Sequence, residues 1–146
     1  MKLPLFEKWQ HRCGQSDATP WEDLSDQMGL QNVLLASTLF APETVVIDGR
    51  VFLKENANAE AFASLASAGY DRATQQKLVN HVHLESLFFR DSGGSPSDFA
   101  LFERLLEALK GCWAGVLAAR YPDHTFYVET QADPENFELI ILFFQD

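Results

Sequence analysis

The sequence predicts an α+β domain: a mainly antiparallel sheet built from two hairpins, at about 44–53 and 125–144, with four to six helices packed on it, the longest at about 96–121. Three features lead to this expectation. Asp48-Gly49 separates two β-branched or aromatic runs, Thr19-Pro20 and Ser95-Pro96 each place a hydroxyl before a proline, and apolar residues between Phe99 and Tyr121 recur at steps of three and four.

Leu5, Phe6, Trp9 and Cys13 stand at helical spacing, with Pro4 suited to a first turn and Gly14 to a C-terminal cap, which predicts a short first helix. Thr19-Pro20-Trp21-Glu22 joins an N-cap hydroxyl, a proline at N1 and a glutamate able to reach back to the cap amide. A second helix is expected from about Pro20 to Met28. The apolar run from Leu30 to Phe40 is too short for periodicity to separate helix from strand, and the reading leans to helix.

Thr44 to Ile47 and Arg50 to Leu53 then flank Asp48-Gly49, the signature of a two-residue type I′ turn in which both central residues need positive φ. Pairing across it sets Val46 opposite Val51 and Val45 opposite Phe52, so both faces carry apolar groups and the hairpin is expected to be covered on both sides near its base. Asn56 or Asn58 can cap a helix carrying Phe62, Leu65 and Ala66, ended by Gly69. Asp71 caps another, expected to run through Leu78, Val79, Val82, Leu84 and Leu87 to Phe89.

Asp91-Ser92-Gly93-Gly94 reads as a flexible loop, and Ser95-Pro96-Ser97-Asp98 opens the longest helix. Beyond Tyr121-Pro122-Asp123-His124, a strand is expected at 125–130, a loop at 131–136 and a final strand at 137–144. That last strand places Phe137, Leu139, Ile141 and Phe143 on one face and Ile140, Leu142 and Phe144 on the other. An exposed edge of this kind would aggregate, so the strand must be central, covered on each face, or paired with a second copy.

The chain has 146 residues and is 47% hydrophobic, enough for one globular domain, 1–146, with a core of its own. Its two cysteines, Cys13 and Cys112, are far apart and stand at no metal-ligand spacing, so no disulfide framework is expected. No run approaches the ~20 apolar residues of a membrane span, and a cytoplasmic address is expected.

Eleven basic against twenty-one acidic side chains leave a net charge of −10. The acids concentrate in 13–49, with Asp17, Glu22, Asp23, Asp26, Glu43 and Asp48, and in 121–146, with Asp123, Glu129, Asp133, Glu135, Glu138 and Asp146. Such surfaces repel phosphate backbones, which disfavours nucleic acid and matches a basic partner protein.

Few residues point to chemistry. If Asn80 to Glu85 formed a strand, His81, His83 and Glu85 would point the same way and resemble a metal site. On a helix, which the Asp71 cap favours, His81 and His83 diverge by about 200° and only His81 and Glu85 share a face. That pair is the candidate for metal ligation or acid–base work, and a helix-packed structural histidine is the plainer reading. Cys112, on the apolar stripe, is expected to be a small core hydrophobe. His11 and His124 are expected at the surface.

Gly93-Gly94 lacks the spacing of a phosphate loop, and no nucleophile elbow, zinc-protease or dithiol motif occurs. No cofactor is expected. Trp21, beside Glu22 and Asp23, is the aromatic expected to face a groove or partner. The preferred reading is a non-catalytic interaction module, for instance one that neutralises a basic protein, with homo-oligomerisation through strand 137–144 or the helices a further expectation. A metal-binding protein or enzyme using His81 and Glu85 and a carrier or sensor of small apolar ligands are the alternatives.

Overall fold

The computed structural model describes residues 7, 10–11, 14, 19–20, 28–88 and 96–146. The chain divides into two compact units, Met1–Thr38 and Leu39–Asp146. In the first, Glu7, Gln10, His11 and Pro20 are helical, while the remainder of the two expected helices, with Cys13, Trp9, Trp21, Glu22 and Asp23, lies outside the described residues. Helix α1, Leu30–Phe40, begins in this unit, its first turn closed by Asn32 N donating to the carbonyl of Gly29 at 2.9 Å. The apolar run that periodicity could not resolve is therefore helical.

The second unit holds an α+β fold: strands β1 (Thr44–Ile47) and β2 (Arg50–Leu53), helices α2 (Ala59–Ser67) and α3 (Arg72–Val79), strand β3 (His81–His83), helices α4 (Leu84–Leu87) and α5 (Pro96–Arg120), and strands β4 (Phe126–Asp133) and β5 (Glu138–Gln145). Both expected hairpins form. They lie in two small antiparallel sheets instead of one, β1-β2 and β3-β5-β4.

In the first hairpin Val46 faces Val51 and Val45 faces Phe52, and Asp48 and Gly49 have φ of 50° and 78°, as a type I′ turn requires. Val51, Phe52 and Leu53 are all buried, because Val51 and Leu53 enter the core while Phe52 meets the edge of Phe62 on α2 at 5.0 Å. Val46 is 51% exposed, so the double covering belongs to β2 alone.

Helix α5 matches its expected span, and its inward stripe, Phe99, Phe102, Leu106, Leu109, Trp113 and Leu117, is buried. It packs on β4 and β5, with Trp113 edge-on to Phe143 at 5.9 Å and its indole N–H donating to the Leu39 carbonyl at 2.8 Å. Cys112 corrects the expectation of a core thiol: it is exposed. Its neighbour Trp113 occupies the buried line, and one residue along a helix turns the side chain by about 100° onto the flank.

Two element boundaries also differ from expectation. The helix capped by Asp71 stops at Val79, because Asn80 takes φ −91° and ψ 12° and spends its side chain on the backbone of other elements, so 81–83 continue as a strand. Strand β4 runs on to Asp133, into the first half of the 131–136 stretch expected to be loop, and the turn is confined to 134–137. Asp133 carboxylate oxygens accept from Glu135 N at 2.9 Å and Asn136 Nδ2 at 2.7 Å, an Asx-type turn that reverses the chain over Pro134–Phe137. The Asn136 side-chain hydrogen bond, followed by those from the Glu135 and Asn136 amides, holds the Asp133 carboxyl below its usual range.

The candidate functional site

Strand β5 is central, which resolves the problem of its two apolar faces. One edge pairs with β4 along its whole length, and the other pairs with β3, His81 opposite Leu142 and His83 opposite Ile140. Where β3 is too short, side chains complete that second edge. Leu139 N donates to Glu85 Oε2 at 3.0 Å, the Phe143 carbonyl accepts from Asn80 Nδ2 at 3.2 Å, and Gln145 N donates to Gln76 Oε1 at 3.2 Å. Both edges of β5 are thus satisfied within the chain.

The same amides seal the free edge of β2. A two-residue hairpin leaves alternate residues with backbone groups pointing away from the partner strand, here Val51 and Leu53. Val51 N donates to Gln145 Oε1 at 2.7 Å, its carbonyl accepts from Gln76 Nε2 and Asn80 Nδ2 at 3.0 Å each, and Leu53 N donates to Asn80 Oδ1 at 2.8 Å. Gln76 uses both lone pairs and both amide hydrogens, since it also accepts from Arg50 and donates to Gln145 Oε1. Gln76 and Asn80 are fully buried and Gln145 nearly so. This buried polar network stitches the two sheets together.

The outer face of the three-stranded sheet is different. The β5 residues on it are Glu138, Ile140, Leu142 and Phe144, the last three half-buried. Registers place His81 and His83 of β3 on one side of them, and Tyr127, Glu129, Gln131 and Asp133 of β4 on the other. Tyr127, 43% exposed, stacks on Phe144 at 5.3 Å, and Lys77 Nζ sits 3.8 Å above the Phe144 ring. The Tyr127 hydroxyl donates to Asp146 Oδ2 at 2.9 Å, and that bond to a carboxylate raises its pKa.

His81 and His83 point the same way because 81–83 is a strand, so the helical pairing of His81 with Glu85 is replaced by another. His83 Nδ1 donates to Glu85 Oε1 at 2.8 Å, and the other Glu85 oxygen is held by Leu139 N. His81 Nδ1 is hydrogen-bonded to the Leu78 carbonyl. The two ring centroids lie 5.0 Å apart with their planes at 78°. Among the described residues no group of three or more His, Cys, Asp and Glu side chains is arranged to hold a metal ion.

The chain matches no family model, no curated protein and no solved structure.

His124 is exposed, as expected, and its Nδ1 accepts from Gln145 Nε2 at 3.0 Å, which ties the amide network to the turn after α5. His11 is exposed. A cleft of about 160 Å³ lies between Phe88 and the Asp98, Leu101, Phe102 and Leu105 positions of α5, smaller than the ~300–1,000 Å³ usual for a small-molecule site. Among the described residues, no helix is long and apolar enough to cross a membrane.

Sequence reasoning missed Gln76, Asn80 and Gln145, and it missed Tyr127, Glu129 and Glu138 as members of one face. The available signal was the alternation His81-Val82-His83, which fits a strand with Val82 turned to the core.

Proposed function

We propose that this chain is a non-catalytic interaction module that receives a basic partner protein on the outer face of the β3-β5-β4 sheet. The observation that carries the reading is the make-up of that face: a half-buried apolar strip, Ile140, Leu142 and Phe144, framed by the carboxylates of Glu129, Asp133 and Glu138. An apolar centre inside a polar rim is the usual anatomy of a protein interface, and the stacked Tyr127 and Phe144 are of the residue class that anchors one. The carboxylates would select a partner rich in lysine and arginine and speed its approach. The acidic segment 121–146 supplies this hairpin, which fits the charge asymmetry of the chain.

The test is affinity capture from the cells that express the protein, comparing wild type with a Glu129→Lys/Glu138→Lys double variant at low and high ionic strength. A basic protein held by the wild type, lost by the variant and released by salt is the expected result. Equal retention by both proteins, or no partner for either, would sink the reading.

A further inference from the structure

Histidines two apart on a strand share a face. Here both rings are fixed through the same nitrogen. The Leu78 carbonyl and the Glu85 carboxylate can only accept hydrogen bonds, so in the neutral rings Nδ1 of His81 and of His83 each carries the hydrogen. The lone pair is left on Nε2 in both, and neither Nε2 takes part in a hydrogen bond among the described residues.

An imidazole oriented through Nδ1–H by a carboxylate or carbonyl is the arrangement that supports metal-bound histidines. Glu85 suits that duty because its second oxygen is anchored by Leu139 N, and Glu138 Oε1, 4.0 Å from His83 Nδ1, adds negative potential nearby. The ring centroids are 5.0 Å apart with planes at 78°. Two imidazoles bound at ~2.0–2.1 Å to one tetrahedral ion place their ring centres about 5 Å apart.

We propose that His81 and His83 chelate one divalent transition-metal ion through their two Nε2 atoms, with Glu85 as the positioning residue for His83. The site has two protein ligands, so its other positions belong to water or to a donor from outside the chain. Imidazole donors take copper, nickel or zinc and discriminate against magnesium and calcium. The inference is independent of the partner surface: either can fail without the other.

The experiment titrates the full chain, first stripped with a chelator, with Cu(II), Ni(II), Zn(II) and Mg(II) by calorimetry. One ion per chain is expected, with Cu(II) tightest and no heat from Mg(II). His81→Gln and His83→Gln should each weaken binding about tenfold or more, and His124→Gln should leave it unchanged. Glu85→Gln should weaken it by ~10-fold and should also remove the single Nδ1–H tautomer of His83 from its ¹⁵N spectrum, a change a merely structural glutamate would not produce. Urea midpoints of each variant establish that it is folded. Absence of transition-metal binding, or folded His81 and His83 variants that bind as the wild type does, would overturn the proposal.

Discussion

The two faces of the β3-β5-β4 sheet are built from one strand with apolar residues at nearly every position, yet they end in opposite states. Leu139, Ile141 and Phe143 are fully buried beneath α5, whereas Ile140, Leu142 and Phe144 are half-buried among histidines and carboxylates. The residues are chemically alike, so hydrophobicity does not distinguish the faces. What differs is the layer over each face: a 25-residue helix with an apolar stripe covers one, while the other is flanked by the polar side chains of β3 and β4. The outer strip thus stays half-buried beside ionisable groups, and it is the surface proposed for the partner.

The largest expected effect tests that contrast directly. Phe143→Ala, which removes the ring packed on Trp113 and Phe126, should cost about 3–5 kcal/mol of stability. Leu142→Ala on the outer face should cost about 1 kcal/mol or less, because less area leaves water there. Urea denaturation of the two variants measures both, and equal losses would mean the outer face is packed as a second core.

Next in size is the amide seam. Asn80→Ala strips partners from Leu53 N and the Phe143 carbonyl, both buried, and should cost about 2–4 kcal/mol. Amide exchange should accelerate at Leu53 more than at residues paired within the β1-β2 ladder. A uniform change would show that the seam unfolds only with the rest of the unit.

Smaller again is the turn that joins the two strands of the first hairpin. Gly49 has φ of +78° with open space around the position of a Cβ, so Gly49→Ala should cost about 1 kcal/mol through backbone strain alone. Asn should be tolerated better than Ala there, and thermal melts would rank them.

The smallest effect concerns acid. Hydrogen bonds from Thr74 hold the Asp71 carboxyl below its ordinary 3.8, and those from Asn136 and Glu135 do the same for Asp133. A carboxyl depressed in the folded state adds stability that is present above its unfolded pKa and is lost as pH falls through the folded value. Stability should therefore decline below about pH 4, and Asp71→Asn with Asp133→Asn should flatten that decline. An unchanged acid limb in the double variant would assign the loss to other carboxyls.

How far this could be read in advance varied by element. The first hairpin, its register and its turn were legible because Asp-Gly imposes geometry locally and β-branched runs impose pairing. The long helix was legible because a stripe of apolar residues over seven turns has no other reading. The helix after Asp71 was overextended, since Val79, Val82 and Leu84 keep a helical rhythm that conceals the break at Asn80. The candidate site followed that error: with 81–85 read as helix, His81 was paired with Glu85, and the strand brings His83 to Glu85 instead. Cys112 was misplaced by a single residue of helical phase.

Residue order alone settled what depends on near neighbours: the α+β class, two hairpins, the capped and striped helices, and an acidity concentrated in 13–49 and 121–146. Tertiary structure decided what depends on partners distant in the chain. Whether β5 was an edge or a centre turned on β3, some sixty residues earlier, and on Gln76, Asn80 and Glu85 reaching its backbone. Those side chains are polar and unremarkable in sequence. Their meaning comes from unsatisfied strand edges that exist only once the two hairpins stand side by side, because a buried backbone group must find a hydrogen bond wherever the fold offers one.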